Sequence, residues 1–164
     1  MHYAPIPKDE KDRICAVIGL NILDTPNEER FDRITRKATE LFDVPISTIT
    51  IIDKDREWYK SKQGIDEPEG PRDISFCGHA LTHENVLIIE DTLKNDDFKD
   101  NPYVTNKGIR FYAGKSLYKK NSTITVGVFC IKDYKPRKMS LLEIGQFLEL
   151  AEQAEKEINA SQKK

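Results

Sequence analysis

Apolar positions along the chain change period in blocks: every three or four residues near the two ends, every second residue or in unbroken runs between them. Within residues 8–18, Ile14, Val17 and Ile18 fall on one side of a charged segment, and Gly19 stands where a helix would end in a left-handed residue. This predicts a short lead-in helix inside residues 1–20. Thr25-Pro26-Asn27-Glu28 predicts the start of a second helix, with Thr25 as cap, Pro26 in the first helical position and Glu28 reaching back to the Thr25 amide. Phe31, Ile34, Ala38, Leu41 and Phe42 form its apolar stripe until Asp43-Val44-Pro45 stops it. Ser140 and Glu143 repeat the capping box before a last helix over residues 140–160, where Ile144, Phe147, Leu148, Ala151, Ala154 and Ile158 share a face.

Between these helices the residues favour strands. Residues 46–53 are dense in Ile and Thr, Asp53-Lys54-Asp55 reads as a turn, and residues 57–62 alternate, which together predict a hairpin. Residues 86–89, 111–118 and 124–132 supply three more strands, the last two joined across Lys119-Lys120-Asn121-Ser122. The final strand has the longest apolar run and is placed centrally. Helices at the ends and strands between them give an α+β fold. Two long segments, residues 64–84 and 91–109, must pack over the sheet, and loops of that length in a compact domain are usually functional.

Four stretches resemble a known family in the right order. They are Ile22-Leu23-Asp24-Thr25-Pro26-Asn27-Glu28-Glu29-Arg30-Phe31-Asp32, Ser75-Phe76-Cys77-Gly78-His79-Ala80, Gly108-Ile109-Arg110-Phe111-Tyr112-Ala113-Gly114 and Val126-Gly127-Val128-Phe129-Cys130-Ile131-Lys132-Asp133. Together they resemble a GAF domain over most of the chain, read here as one domain spanning residues 1–164. The resemblance implies a central antiparallel sheet of order 2-1-5-4-3, as in GAF and PAS folds. Terminal helices would cover one face, with loops and short helices on the other. It also implies a sensory module that binds a small molecule and signals through its terminal helices as a homodimer. The version with Leu-Asp-Thr-Pro and Phe-Cys-Gly-His-Ala commonly precedes histidine kinase or diguanylate cyclase domains. No output domain follows in this sequence, so either the chain is truncated or it signals by association, with a separate signalling protein as one receiver.

Composition narrows the partners. With 26 basic and 28 acidic residues in 164, the net charge of −2 offers no broad attraction to nucleic acid or an anionic membrane. The start lacks the basic head and apolar stretch of a secretory signal, and Cys15, Cys77 and Cys130 form an odd, irregular set. The expectation is a cytoplasmic protein without a disulfide framework.

The candidate chemistry lies in the two long segments and the strand after them. Ser75 can cap a short helix that puts Cys77 in its first turn; the thiol is either activated there or simply buried. Gly78 either permits a close approach or is merely small. His79 and His83, four apart, could share a helix face, but no third ligand completes a metal site, so His79 reads as a pocket or loop-bonding residue and no metal or cofactor is expected. Arg110 and Tyr112 point the same way on a strand: either both enter a pocket suited to a carboxylate, phosphate or purine-like ligand, or Arg110 ties down the acidic loop Asp96-Asp97-Phe98-Lys99-Asp100. Phe98, Pro102 and Tyr103 anchor that loop or stack on a ligand, and Trp58 is an edge residue or a pocket wall. The candidate ligand-binding set is Trp58, Phe76, Cys77, His79, Asp91, Phe98, Arg110 and Tyr112.

Catalytic signatures are missing: no phosphate-cradling glycine loop, no Gly-x-Ser-x-Gly elbow, no His-Glu-x-x-His helix. Gly78 separates Cys77 from His79, unlike the adjacent pair that anchors bilins in some GAF domains. The cysteine contexts do not match GAF proteins that reduce free methionine sulfoxide, nor is the cyclic-nucleotide motif intact. The alternatives to a sensor are a thiol-dependent reductase and a ligand-free dimerisation module.

Overall fold

In the computed structural model, which describes residues 1–160, these blocks become an α+β fold; the end of the chain at residues 161–164, expected after the last helix, lies outside the described residues. The order is α1 (Glu10–Gly19), α2 (Glu29–Phe42), β1 (Ile46–Ile52), β2 (Arg56–Gln63), β3 (Glu69–Pro71), α3 (Phe76–Ala80), β4 (Leu87–Ile89), a 3₁₀ turn (Thr92–Lys94), α4 (Pro102–Thr105), β5 (Phe111–Tyr118), β6 (Thr125–Asp133) and α5 (Leu141–Ala160). The sheet runs β3-β2-β1-β6-β5-β4 with antiparallel neighbours throughout. Its five foreseen strands keep the order 2-1-5-4-3. The addition is β3, three residues pairing on the outer edge of β2, too short and too rich in Glu, Gly and Pro to read as a strand.

Every residue of β1 is buried because both faces of the sheet are covered, which explains its unbroken apolar and Thr run. Ile49 and Ile51 enter a core with α1, α2 and α5, while Ile46 and Ile52 enter a second core with α3 and the long loops. β5 divides the same way, Phe111 and Ala113 toward the helices and Tyr112 toward the loops.

Three local expectations are corrected. Helix α2 begins at Glu29 rather than Pro26, and no capping box forms at Thr25. A bulge between β1 and β2 leaves Lys60 without a cross-strand partner, and its buried ammonium takes Thr25 Oγ1 at 2.8 Å, the Pro26 carbonyl at 2.6 Å and Glu28 Oε2 at 2.7 Å. Those groups are thereby held by the sheet. Helix α1 buries Arg13, Ala16 and Val17 and leaves Ile18 exposed; Leu20, fully buried, carries the right-handed backbone past Gly19, and the left-handed residue is Asn21. On α5, Leu150 faces the core where Leu148 was expected. The second capping box does form: Ser140 N–H donates to Glu143 Oε1 at 3.0 Å, and Glu143 N–H to Ser140 Oγ at 3.1 Å. Among the described residues no helix is long and apolar enough to cross a membrane.

Candidate functional site

The loop-side layer is held over the sheet by a capped turn and a stack of rings. Ser75 caps α3, its Oγ accepting from Gly78 N–H at 2.8 Å. A Cβ on Gly78 would lie 2.7 Å from the Ala4 Cβ and 2.9 Å from the Arg72 carbonyl, so only glycine lets this turn seat here. Phe76 then stacks on Tyr112 with centroids 5.2 Å apart and tilts against Phe98 at 5.0 Å. Tyr112 folds over Gly114, where a Cβ would meet its hydroxyl at 2.1 Å.

Beneath the rings lies a buried polar cluster. Tyr112 OH donates to Cys77 Sγ at 3.3 Å, and Thr48 Oγ1 bonds both Thr50 Oγ1 at 2.7 Å and Cys130 Sγ at 3.0 Å. Tyr59 and Tyr103 hydroxyls donate to Glu57 Oε2 at 3.2 and 3.0 Å, while Glu57 Oε1 is buried with no hydrogen-bond partner among the described residues. The Lys132 ammonium sits 5.4 Å from the Tyr103 ring centroid and 5.7 Å from that of Phe76. Burial raises the Glu57 carboxyl above its ordinary value despite Lys132 and the two phenols. Burial works against the Lys132 charge, yet the field of Glu57 holds its pKa above the usual lysine value. Burial likewise pushes the Cys77 thiol and the Tyr112 phenol up, so both stay protonated. A thiol so placed is not an activated nucleophile.

A cleft of about 300 Å³ opens beside this cluster, between β2–β3, α4 and the end of β6. Tyr59, Gly70, Tyr103, Ile109 and Lys132 line its inner part, and Asp66, Glu67, Glu69 and Lys107 its rim. A larger surface groove of about 710 Å³ runs between residues 88–91 and 136–139, but none of its charged lining is buried, and the chemistry lies with the smaller cleft.

The structure brings Phe76, Cys77, Phe98 and Tyr112 together, with His79 at their border. His79 Nε2 bonds the His2 carbonyl at 3.0 Å, and its ring stands edge-on to Phe98 at 4.6 Å; burial lowers its pKa. His83 instead bonds the Asn85 carbonyl. None of the eight expected residues lines the cleft itself, and three of them lie away from this group as well. Trp58 is in the helix-side core, on the opposite face of the sheet. Arg110 precedes β5 and donates from Nη2 and Nε to Asp91 Oδ1 at 3.0 and 3.2 Å, tying down the start of the second long loop rather than lining the cleft. Sequence reasoning missed Glu57, Tyr59 and Lys132, and left Tyr103 as either a loop anchor or a ligand-stacking ring. The signal was available in Lys132: it shares the parity of Val128 and Cys130 on the most apolar strand, a core-facing position where lysine is rare.

The GAF domain family matches residues 26–158. A cyclic di-GMP phosphodiesterase of Pseudomonas aeruginosa is 37% identical over 134 residues, 81% of this chain but 23% of that protein, so the chain spans under a quarter of the relative's length. Among solved structures, a domain of a two-component sensor histidine kinase protein from Sinorhizobium meliloti superimposes with a TM-score of 0.66 at 16% identity, covering 84% of this chain and 94% of that one. A free methionine-R-sulfoxide reductase from Neisseria meningitidis, solved with its substrate, gives 0.64 at 16% identity, covering 98% and 96%. At such identities the two structures speak for the fold alone.

Proposed function

This chain belongs to the GAF domain family, in a signalling context, and from that premise we propose that it is a non-catalytic sensory module whose small-molecule ligand occupies the cleft beside Lys132. The observation that carries this reading is the buried ionisable cluster of Glu57, Tyr59, Tyr103 and Lys132. Buried charge adds little to stability compared with hydrocarbon of the same volume, so its presence under a cleft suits recognition better than packing.

A physical route leads from the cleft to the helices. Gly70 and Pro71 line the cleft, and the next residue, Arg72, is buried; its guanidinium donates to Glu10 on α1 at 2.6 Å and to the Asp53 carbonyl at 3.1 Å. Its carbonyl accepts from Ser75 Oγ at 2.7 Å, the residue that caps α3. Displacing β3 on binding would therefore move Arg72, α1 and α3 together. A ligand shifts that equilibrium only by its preference for one arrangement. Leu141 and Leu142 on α5 are 88% and 73% exposed, and they support pairing of two copies through terminal helices. In this reading the pair works in the cytoplasm and a separate protein receives the signal.

A thermal-melt screen of the chain against nucleotides, amino acids and organic acids tests this function. A ligand at a hundred times its dissociation constant should add about 2.7 kcal/mol. A compound that stabilises without being consumed supports the sensor. Thiol-dependent turnover of methionine sulfoxide that vanishes in Cys77→Ser would replace it with a reductase, and no stabilisation by any compound would leave a dimerisation module.

A further inference from the structure

Among the described residues two lysines are buried, and they are treated differently. Lys60, 1% exposed, gives its ammonium three oxygen acceptors, one for each N–H. Lys132, 3% exposed, has no hydrogen-bond acceptor or ion-pair partner within reach among the described residues; the faces of the Phe76 and Tyr103 rings are its close neighbours. The carboxylate that acts on it most strongly, Glu57, commits Oε2 to Tyr59 and Tyr103 and reaches Lys132 only through its field. Yet Lys132 lines the cleft. An ammonium kept charged, almost wholly out of water and aimed into a cavity is short of an anion.

We propose that Lys132 anchors the anionic end of a small organic monocarboxylate bound in this cleft, a ligand class that refines the sensor reading and rests on it. Carboxylate suits the site better than phosphate. Among the described residues Lys132 is the single cation of the inner cleft and no arginine lines it, so the site offers one positive charge, which a monoanion matches and a dianion exceeds. The acidic rim is largely neutralised, since Glu67 pairs with Lys107 at 3.3 Å and Glu69 with Arg56 at 2.8 Å. Ile46, Ile65, Ile109 and the rings of Tyr59 and Tyr103 give the carbon body of the ligand an apolar bed.

The test uses matched probes: benzoate, 4-hydroxybenzoate and 3-methylbutanoate, their neutral amides, benzylamine, and phenyl phosphate. Each is titrated into the chain labelled with ¹³C-lysine, with the Lys132 Cε resonance followed by NMR. The expected result is a Lys132 shift with at least one carboxylate, and affinity for it about tenfold or more above its amide, the increment of a charge-assisted hydrogen bond. Lys132→Arg should keep that preference and Lys132→Met should bring the ratio to one. Equal binding of the amide, tighter binding of phenyl phosphate or benzylamine, no response to any carboxylate, or a preference that survives Lys132→Met each overturns the proposal. If Lys132→Met does not fold, the wild-type resonance and the probe ranking still decide. A neutral or cationic compound that stabilises the chain in the melt screen would sink the carboxylate while sparing the sensor; no stabilisation by anything sinks both.

Discussion

On the face covered by α1, α2 and α5, the sheet offers Ile49, Ile51, Phe111, Phe129 and Ile131 to Phe31, Ile34, Phe42 and Phe147. On the face covered by α3, α4 and the loops, the same strands offer Thr48, Thr50, Tyr112, Cys130 and Lys132, with Glu57 and Tyr59 from β2. Alternation along a strand lets one backbone serve both, since adjacent residues face opposite ways. Burying hydrocarbon adds about 25 cal/mol per Å², whereas buried polar groups only hold their ground when every partner is present. The helix side is where stability should be concentrated. The loop side carries groups that packing alone would not select, among them the unpartnered Glu57 Oε1.

The largest expected effect tests that division directly. Phe147 is fully buried and packs on Phe129 at 4.9 Å and Phe42 at 6.1 Å between ring centroids. Phe147→Ala should cost about 3–5 kcal/mol in urea unfolding, as large cavities in closed cores do. Phe98→Ala, at the loop side, should cost less, because residues 91–109 can settle into the space. Equal losses would break the contrast and make the two layers equally structural.

How much of this could be read from the residues follows the same line. The helix side was legible because its signal is periodic: Phe31, Ile34, Ala38 and Phe42, and Phe147, Ala151, Ala154 and Ile158, are on the buried faces their spacing predicts. Errors there came at the edges, where tertiary contacts override the pattern, as when Lys60 takes the Thr25 and Glu28 groups that would otherwise start α2. The loop side was half legible. Phe76, Cys77 and Tyr112 were found through a motif, but the ionisable cluster joins residues from β2, α4 and β6, and no spacing in the chain reveals which of them meet. Arg110 was placed on strand parity, although it stands just outside β5, where its partner is Asp91 rather than the cleft.

A smaller effect probes the joint between the two sides. Glu10 on α1 is held by Arg72, which belongs to the loop layer, and by Arg13. Burial works against its charge, but the hydrogen bonds from these two guanidinium groups bring its pKa down from 4.5 to about 2. Because the folded value lies below the unfolded one, the interaction stabilises the protein above pH 4.5 and is lost as pH falls toward 2. Glu10→Gln should therefore be less stable than wild type at neutral pH, with the gap closing across that acid window in urea titrations. A constant gap would mean that α1 and the loop layer are not joined through this charge.

The smallest effect leaves stability untouched and reports on opening. Cys15 is exposed on α1, while Cys77 and Cys130 are fully buried in the loop-side cluster. A thiol-reactive dye should label Cys15 at once and the other two only when their layer opens, since burial also pushes the Cys77 thiol up. If the loop layer is the weaker one, the opening free energy taken from the slow labelling will be smaller than the unfolding free energy from urea. A ligand in the cleft should close that gap by slowing the label at Cys77 and Cys130 and leaving Cys15 unchanged. Should the two free energies coincide without ligand, the layers open as one unit, and binding could not be transmitted by loosening or tightening one face against the other.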